Sequence, residues 1–196
     1  TGMAIWLSLI VLVILLLGVI AIYNGLIRLK NQVDNALAQI DVQLKRRHDL
    51  IPNMVAIAKG YMGHENATLL MVTTARNTAK ATHTAGLTSD NGTALQSLAG
   101  AENALSKALG QFYAVVEDYP ELKADAIMQQ TLDELVNTEN RIGFARQHYN
   151  DSVMYYNNQR EVFPNNVLSG FFGFGRLAQL QFQDKSQLET APQVQF

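Results

Sequence analysis

The sequence contains no cysteine among its 196 residues. A disulfide framework, a thiolate metal site, a cysteine nucleophile and a lipidated cysteine are therefore excluded. Proline is scarce, at 4 residues, which favours long helices over loops. The 15 basic and 17 acidic side chains give a net charge of -2, so the chain has no strong field to attract nucleic acid or an acidic substrate.

Charge is also absent from the stretch between Ala4 and Ile22, in which Ser8 is the only hydroxyl. At 1.5 Å per residue these roughly 19 residues cover about 28 Å, close to the hydrocarbon thickness of a bilayer. Trp6 and Tyr23 lie at the two ends of the run. Aromatic rings with a polar edge prefer the two membrane–water interfaces, where the ends of a spanning helix would lie. The pattern predicts one transmembrane helix, and the stretch lacks the basic start and small-residue exit of a cleaved signal peptide.

Four further stretches repeat apolar side chains at steps of three and four, the spacing of amphipathic helices. The second stretch extends to about Thr84, and the fourth, from about Glu121 to Glu161, is the longest. The stripe of the first stretch is Leu26, Leu29, Val33, Leu37, Ile40 and Leu44, and that of the fourth is Leu135, Thr138, Ile142, Ala145, Tyr149, Val153 and Tyr156. The stripe of the third is Leu95, Leu98, Leu105, Leu109, Phe112, Val116 and Tyr119. Glu102 lies in this third stripe. The predicted fold class is all-α, an N-terminal transmembrane helix plus a four-helix up-and-down antiparallel bundle.

The junction between the first two stretches is ambiguous. Pro52 removes a helix hydrogen bond and disfavours helical geometry at Ile51, yet the apolar spacing continues past it. Pro52 either opens a second helix after a tight turn, which we slightly favour, or kinks one long helix. The choice decides whether the last helix returns to the membrane or ends far from it.

We divide the chain into an anchor (1–23), a helical bundle (24–163) and an aromatic, glycine-containing segment with a polar tail (164–196). Phe171, Phe172 and Phe174 lie among three glycines, outside any helical stripe. They could plug one end of the bundle, form a partner or self-association surface, or insert into the membrane interface. The glutamine-rich residues 178–195 are expected to be partly disordered.

Side chains that could carry chemistry are few. The four histidines, His48, His64, His83 and His148, do not form the zinc-protease motif, and the sequence has no phosphate-binding loop. The basic run Lys45, Arg46 and Arg47 is either a solvated helix end or a site for anionic lipid or phosphate. We predict no catalytic site, no metal and no cofactor; the alternative is an enzyme or metal protein centred on His48 or His148.

Several longer motifs closely resemble the bacterial LemA family. The most extended covers residues 23–53, from Tyr23-Asn24-Gly25 through Lys45-Arg46-Arg47-His48 to Ile51-Pro52-Asn53. Others are Tyr61 with His64-Glu65, Asn137-Thr138-Glu139-Asn140-Arg141-Ile142, Tyr149-Asn150-Asp151, Tyr156-Asn157-Asn158, Phe163-Pro164, Phe171-Phe172-Gly173-Phe174, and the closing Pro192, Val194 and Phe196. The chain departs from the family pattern at Leu37, where a tryptophan is expected, and across residues 125–128.

The resemblance implies one N-terminal span and a four-helix bundle in the bacterial inner membrane, and it supplies no activity. Family members are associated with envelope stress and membrane-protein quality control, and one branch belongs to the magnetosome membrane. We therefore expect a membrane-anchored scaffold or adaptor that self-associates or binds a membrane protein or protease. The alternative is an oligomer that shapes the membrane or organises lipid, through Lys45–Arg47 and the three phenylalanines.

Basic residues flank the apolar run on one side only. Arg28 and Lys30 follow it, whereas no lysine or arginine precedes it. The positive-inside rule therefore predicts an external N-terminus and a cytoplasmic domain. Protease added outside sealed spheroplasts should leave the domain intact, and its digestion there would contradict the predicted orientation.

Overall fold

A computed structural model describes residues 2–63, 67–84 and 87–181. The helices are α1 (Gly2–Met62), α2 (Ala67–Thr84), α3 (Gly92–Val116), α4 (Pro120–Ala124), α5 (Ala126–Glu161) and α6 (Asn165–Phe171). No strand occurs in the described ranges, and the prediction of an all-α fold is confirmed. Asp125 begins α5 by accepting hydrogen bonds from the Ile127 and Met128 amides, which lower the pKa of its carboxyl group.

A single 61-residue helix, α1, joins the apolar run to the bundle without a break. Its N-terminal part is long and apolar enough to cross a membrane. This part is not buried against any other described part of the chain. The favoured turn at Pro52 is wrong, because the helix continues through it and the chain reverses only after Met62. Gly63 follows with a φ of +79°, a backbone conformation that glycine adopts without strain.

An arginine from the next helix explains how α1 passes Pro52. Proline has no amide hydrogen to give to the carbonyl four residues earlier, which belongs to His48. The Arg76 guanidinium in α2 donates from Nε to this carbonyl oxygen at 3.0 Å. The orphaned acceptor therefore gains a partner from outside the helix, and one long helix forms where the sequence alone favours two.

Because the reversal falls after Met62, the helices alternate in direction from there. The turn between α2 and α3 returns to the start of the bundle, where Lys30 Nζ donates to Asp90 at 2.9 Å and Ser89 donates to Asp34 at 2.5 Å. The Asp90 hydrogen bond raises the pKa of Lys30. Helix α3 then leaves and α5 returns, which places α6 beside the apolar end of α1.

The core has two parts. The part nearer the anchor contains the first predicted stripe, the start of α3 and the end of α5. The other part contains the far ends of the same helices, and Met54, Phe112 and Met128 are among its buried residues. Leu37 and Met128, where the chain departs from the LemA pattern, are both buried.

The chain after α6 also enters the core. Residues 174–181 run back along α5, and Leu177 and Leu180 are buried. Residues 178–181, at the start of the stretch expected to be partly disordered, therefore pack against α5. Residues 182–196 lie outside the described part of the chain, as do His64 and Glu65.

We predict that the Arg76 contact compensates specifically for Pro52. Arg76→Ala should lower the free energy of unfolding by about 1 to 2 kcal/mol, because it leaves a buried acceptor unpaired. In a Pro52→Ala background the new amide can donate to the His48 carbonyl, so the same substitution should cost less than half as much. Thermal unfolding of the detergent-solubilised chain, followed by circular dichroism, measures both steps.

Lys80→Ala, an exposed change one turn along α2, is the matched control and should leave the unfolding midpoint unchanged. An equal cost of Arg76→Ala with and without Pro52 would contradict the proposed compensation.

Candidate functional site

A cluster of charged side chains crosses the middle of the bundle. Arg47 and His48 in α1 and Glu102 in α3 are each at most 2% exposed. One guanidinium nitrogen of Arg47 donates to Glu102 Oε2 at 3.2 Å, and His48 Nε2 lies 2.6 Å from Glu102 Oε1. Both oxygens of the buried carboxylate are therefore paired, which is the condition for a charge to be tolerated inside a protein.

The cluster continues to α5 through Ser106 and Glu139. The second terminal nitrogen of Arg47 lies 2.7 Å from Ser106 Oγ and 2.9 Å from Glu139 Oε2, and the serine hydroxyl reaches Glu139 Oε1 at 3.3 Å. Arg47 thus connects α1 to both α3 and α5. We call these five residues, Arg47, His48, Glu102, Ser106 and Glu139, the charged clasp.

The charged clasp is closed to a substrate at its centre, since Glu102 is fully buried. A pocket of about 200 Å³ reaches only its outer side, where Arg47, Ser106, Tyr113 and Glu139 line it. Burial raises the pKa of the Tyr113 hydroxyl, so this group remains protonated at neutral pH. The arrangement fixes the relative positions of three helices, and a shift of any one along its axis would unpair a buried charge.

A second histidine lies against the clasp. The rings of His48 and His83 meet edge-on with centroids 5.7 Å apart, and His83 Nε2 is 2.6 Å from Asp41 Oδ1. His83 Nε2 makes no hydrogen bond to a described residue. Among the described residues, no group of three histidine and carboxylate side chains could hold a metal ion.

The basic run is therefore split between interior and surface. Arg47 belongs to the charged clasp and is 2% exposed, and its guanidinium pairs with Glu102 and Glu139 inside the bundle. Lys45 is exposed and Arg46 pairs with Glu134 of α5. Lys45 follows Tyr23 by 22 helical residues, roughly 33 Å, which places it far beyond the end of the apolar run.

The three phenylalanines are also divided. Phe174 is 9% exposed and packs edge-on against Tyr23, with centroids 5.5 Å apart. Phe172 also contacts the Tyr23 ring but is 42% exposed, and Phe171 is 82% exposed. Phe174 thus closes the membrane-proximal end of the bundle, while the other two rings remain at its surface.

Sequence reasoning missed the charged clasp, although one signal was available. Glu102 lies within an otherwise apolar helical stripe, which places a carboxylate on a core-facing surface. A buried carboxylate requires a cationic or hydrogen-bonding partner. Arg47 and His48, in the most basic run of the chain, were the obvious candidates.

These features define a class: an all-α bundle that is continuous with one long apolar helix and is held together by a buried ion cluster. The LemA family model matches residues 36–196, and the chain belongs to this family.

Curated relatives come from magnetosome-forming bacteria. Over 187 aligned positions the chain is 25% identical to the magnetosome protein MamQ 2 of Paramagnetospirillum magneticum strain AMB-1, covering 86% of this chain and 67% of the relative. It is 24% identical over 192 positions to the magnetosome protein MamQ of Magnetospirillum gryphiswaldense strain MSR-1, covering 88% of this chain and 70% of that protein.

We predict that the charged clasp stabilises the fold far more than a surface ion pair does. Glu102→Ala leaves the buried Arg47 guanidinium with one carboxylate partner, Glu139, instead of two. It should lower the free energy of unfolding by about 3 to 5 kcal/mol. Glu134→Ala breaks the exposed pair with Arg46 and should cost less than about 1 kcal/mol. Denaturant unfolding of the full chain distinguishes the two values, and equal costs would show that the buried cluster has no special role.

Proposed function

We propose that the protein is a membrane-anchored scaffold or adaptor that acts through protein–protein contacts, in envelope stress or membrane-protein quality control, with its domain facing the cytoplasm. The observation that carries the proposal is the continuity of α1 from the apolar run to the centre of the bundle. A continuous helix holds the domain in a fixed orientation relative to the bilayer. That geometry suits presentation of a surface to other membrane proteins.

An exposed apolar surface on the bundle supports this proposal. Val42 in α1 and Phe144 in α5 are 61% and 74% exposed and border a shallow groove of about 580 Å³. Arg141 and His148 line the same groove. An apolar centre with a polar rim is the usual composition of a protein interface. We call the groove and these four residues the Phe144 surface and assign it to contact with a second copy.

Phe144→Asp should reduce self-association of the full chain, because a charge at the centre of an apolar contact must be desolvated. Native mass spectrometry of the chain in lipid nanodiscs, with amine crosslinking in native membranes, measures the oligomer. Ile127→Asp is the matched control, since Ile127 is 65% exposed but lies at the start of α5, about 25 Å along the helix from Phe144. The unsubstituted chain appearing only as a monomer, with no crosslinked partner, would overturn the scaffold proposal.

The alternative function is organisation or shaping of the membrane, and one observation favours it. Helix α6 lies beside the anchor exit and exposes Val167 (62%) and Phe171 (82%), while Phe163 just before it is 81% exposed. Apolar side chains at this height could enter the headgroup region. The aromatic residues, rather than Lys45 and Arg46, would make this contact.

Phe171→Trp, in a Trp6→Phe background, should report lipid contact directly. If Phe171 enters the interface, the new indole should be quenched by brominated lipid in vesicles containing the full chain. Phe144→Trp in the same background is the control, because this position is equally exposed but distant from the bilayer. Equal quenching at the two positions would contradict a specific insertion of α6.

A further inference from the structure

Two asparagines of α5 bind the main chain of residues 174–181, which we call the strap. Asn157 donates from Nδ2 to the Leu177 carbonyl and accepts from the Leu177 amide, both at 3.0 Å. Asn150 does the same for Leu180, at 3.0 and 2.8 Å. Each side-chain amide therefore satisfies both backbone groups of one strap residue, as a neighbouring β-strand would.

The spacing of these contacts matches an extended peptide to a helix. Asn150 and Asn157 are seven residues apart, or about 10.5 Å along α5. Leu177 and Leu180 are three residues apart, or about 10 Å in an extended chain. The strap must be extended to use both asparagines, and it runs antiparallel to the helix.

Other contacts complete a groove between α5 and the start of α3. The hydroxyls of Tyr149 and Tyr156 donate to the carbonyls of Ala178 and Gly175 at 2.9 and 3.1 Å. Burial raises the pKa of Tyr149 to about 12, so this donor keeps its proton across the physiological range. On the α3 side, a Cβ added at Gly92 would lie 3.1 Å from Ala178 Cβ.

The groove recognises mainly backbone and three buried apolar side chains of the strap, those of Phe174, Leu177 and Leu180. All six hydrogen bonds between these asparagines and tyrosines and the strap involve main-chain atoms of the strap, four as acceptors and two as donors. The Leu177 and Leu180 side chains enter the core with Leu95 and Leu98. Main-chain bonds supply affinity and side-chain pockets supply selectivity in recognition of extended peptides. An extended segment with apolar residues three apart fits this site, whichever molecule it comes from.

We propose that this groove is a peptide site that exchanges its occupant, and that the strap of a second copy binds there in place of the chain's own. Identical contacts form within a chain and between chains, so exchange has little energetic cost once the strap is released. The anchor holds the grooves and straps of all copies at one height above the bilayer, which raises their effective concentration. The strap follows Gly173, whose φ of +74° marks a bend in the connection from α6.

This inference rests on the scaffold proposal, for which it names one specific contact. It predicts that a residue of one copy lies beside its groove partner in another. The chain has no cysteine, so any disulfide can be assigned to introduced positions. Gly92→Cys and Ala178→Cys, in separate full-length chains carrying different tags and co-expressed in one membrane, test the contact directly.

Exchange should give an oxidised heterodimer at least tenfold more abundant than that formed by Ala178→Cys with Lys59→Cys, a collision control on the far part of α1. Asn157→Leu in the Gly92→Cys chain, which supplies the groove, should reduce the heterodimer several-fold. Asn158→Leu in the same chain, at an exposed neighbouring position, should not. Heterodimer at the collision level, with Gly92→Cys/Ala178→Cys in one chain closing internally, would overturn the proposal.

A second pair covers the case in which Gly92→Cys disturbs the fold. Glu161 and Arg176 are exposed and form an ion pair at 3.3 Å. Glu161→Cys and Arg176→Cys in separate chains should be joined by a short bis-maleimide if straps exchange, and only within a doubly substituted chain if they do not. Amine crosslinking of the same membranes separates the scaffold proposal from the strap-exchange proposal. Dimers that are crosslinked through amines but show no strap exchange would contradict strap exchange and leave the scaffold proposal intact.

Discussion

The layout of the bundle follows from the passage of α1 through Pro52, which one hydrogen bond from outside the helix stabilises. Pro52 deprives the His48 carbonyl of its partner within the helix, and Arg76 of α2 replaces it. With that acceptor satisfied, α1 continues to Met62 and the chain reverses there. Every later helix takes its direction from this reversal, so the return of α5 and α6 to the anchor depends on it.

The charged clasp lies one turn before Pro52 and acts on the same helix. Arg47 and His48 of α1 pair with both carboxylate oxygens of Glu102, so the register between α1 and α3 is fixed by the pairing of this buried carboxylate. A purely apolar interface tolerates small axial shifts, whereas an unpaired buried charge does not. The proline contact and the charged clasp together fix how far α1 extends and how α2, α3 and α5 align against it.

The sequence predicted the features that depend on periodicity and composition. The apolar stripes of the first, third and fourth stretches are the buried faces of α1, α3 and α5, and the uncharged run is the exposed start of α1. Features that depend on pairing between distant residues were missed. The capping of His48 by Arg76 and the burial of Arg47 each require a partner from another helix, which no local pattern specifies.

The C-terminal part of the described chain illustrates the same limit. Residues 178–181 lack a helical stripe, and the glutamine-rich composition from residue 178 onward predicted partial disorder. Their order comes from Asn150 and Asn157, whose positions one heptad apart matter only when an extended chain lies beside them. Phe174, Leu177 and Leu180 then complete a core that the helices alone leave open.

The continuity of α1 has a mechanical consequence. From Tyr23 to Met62 the helix extends roughly 58 Å beyond the apolar run. Transmembrane helices adjust their tilt to bilayer thickness. If the apolar run spans a bilayer and α1 stays straight, a change in tilt of about 10° would move the far end of α1 sideways by about 10 Å. In that arrangement the lateral position of the distal end of the bundle would depend on the thickness of the membrane.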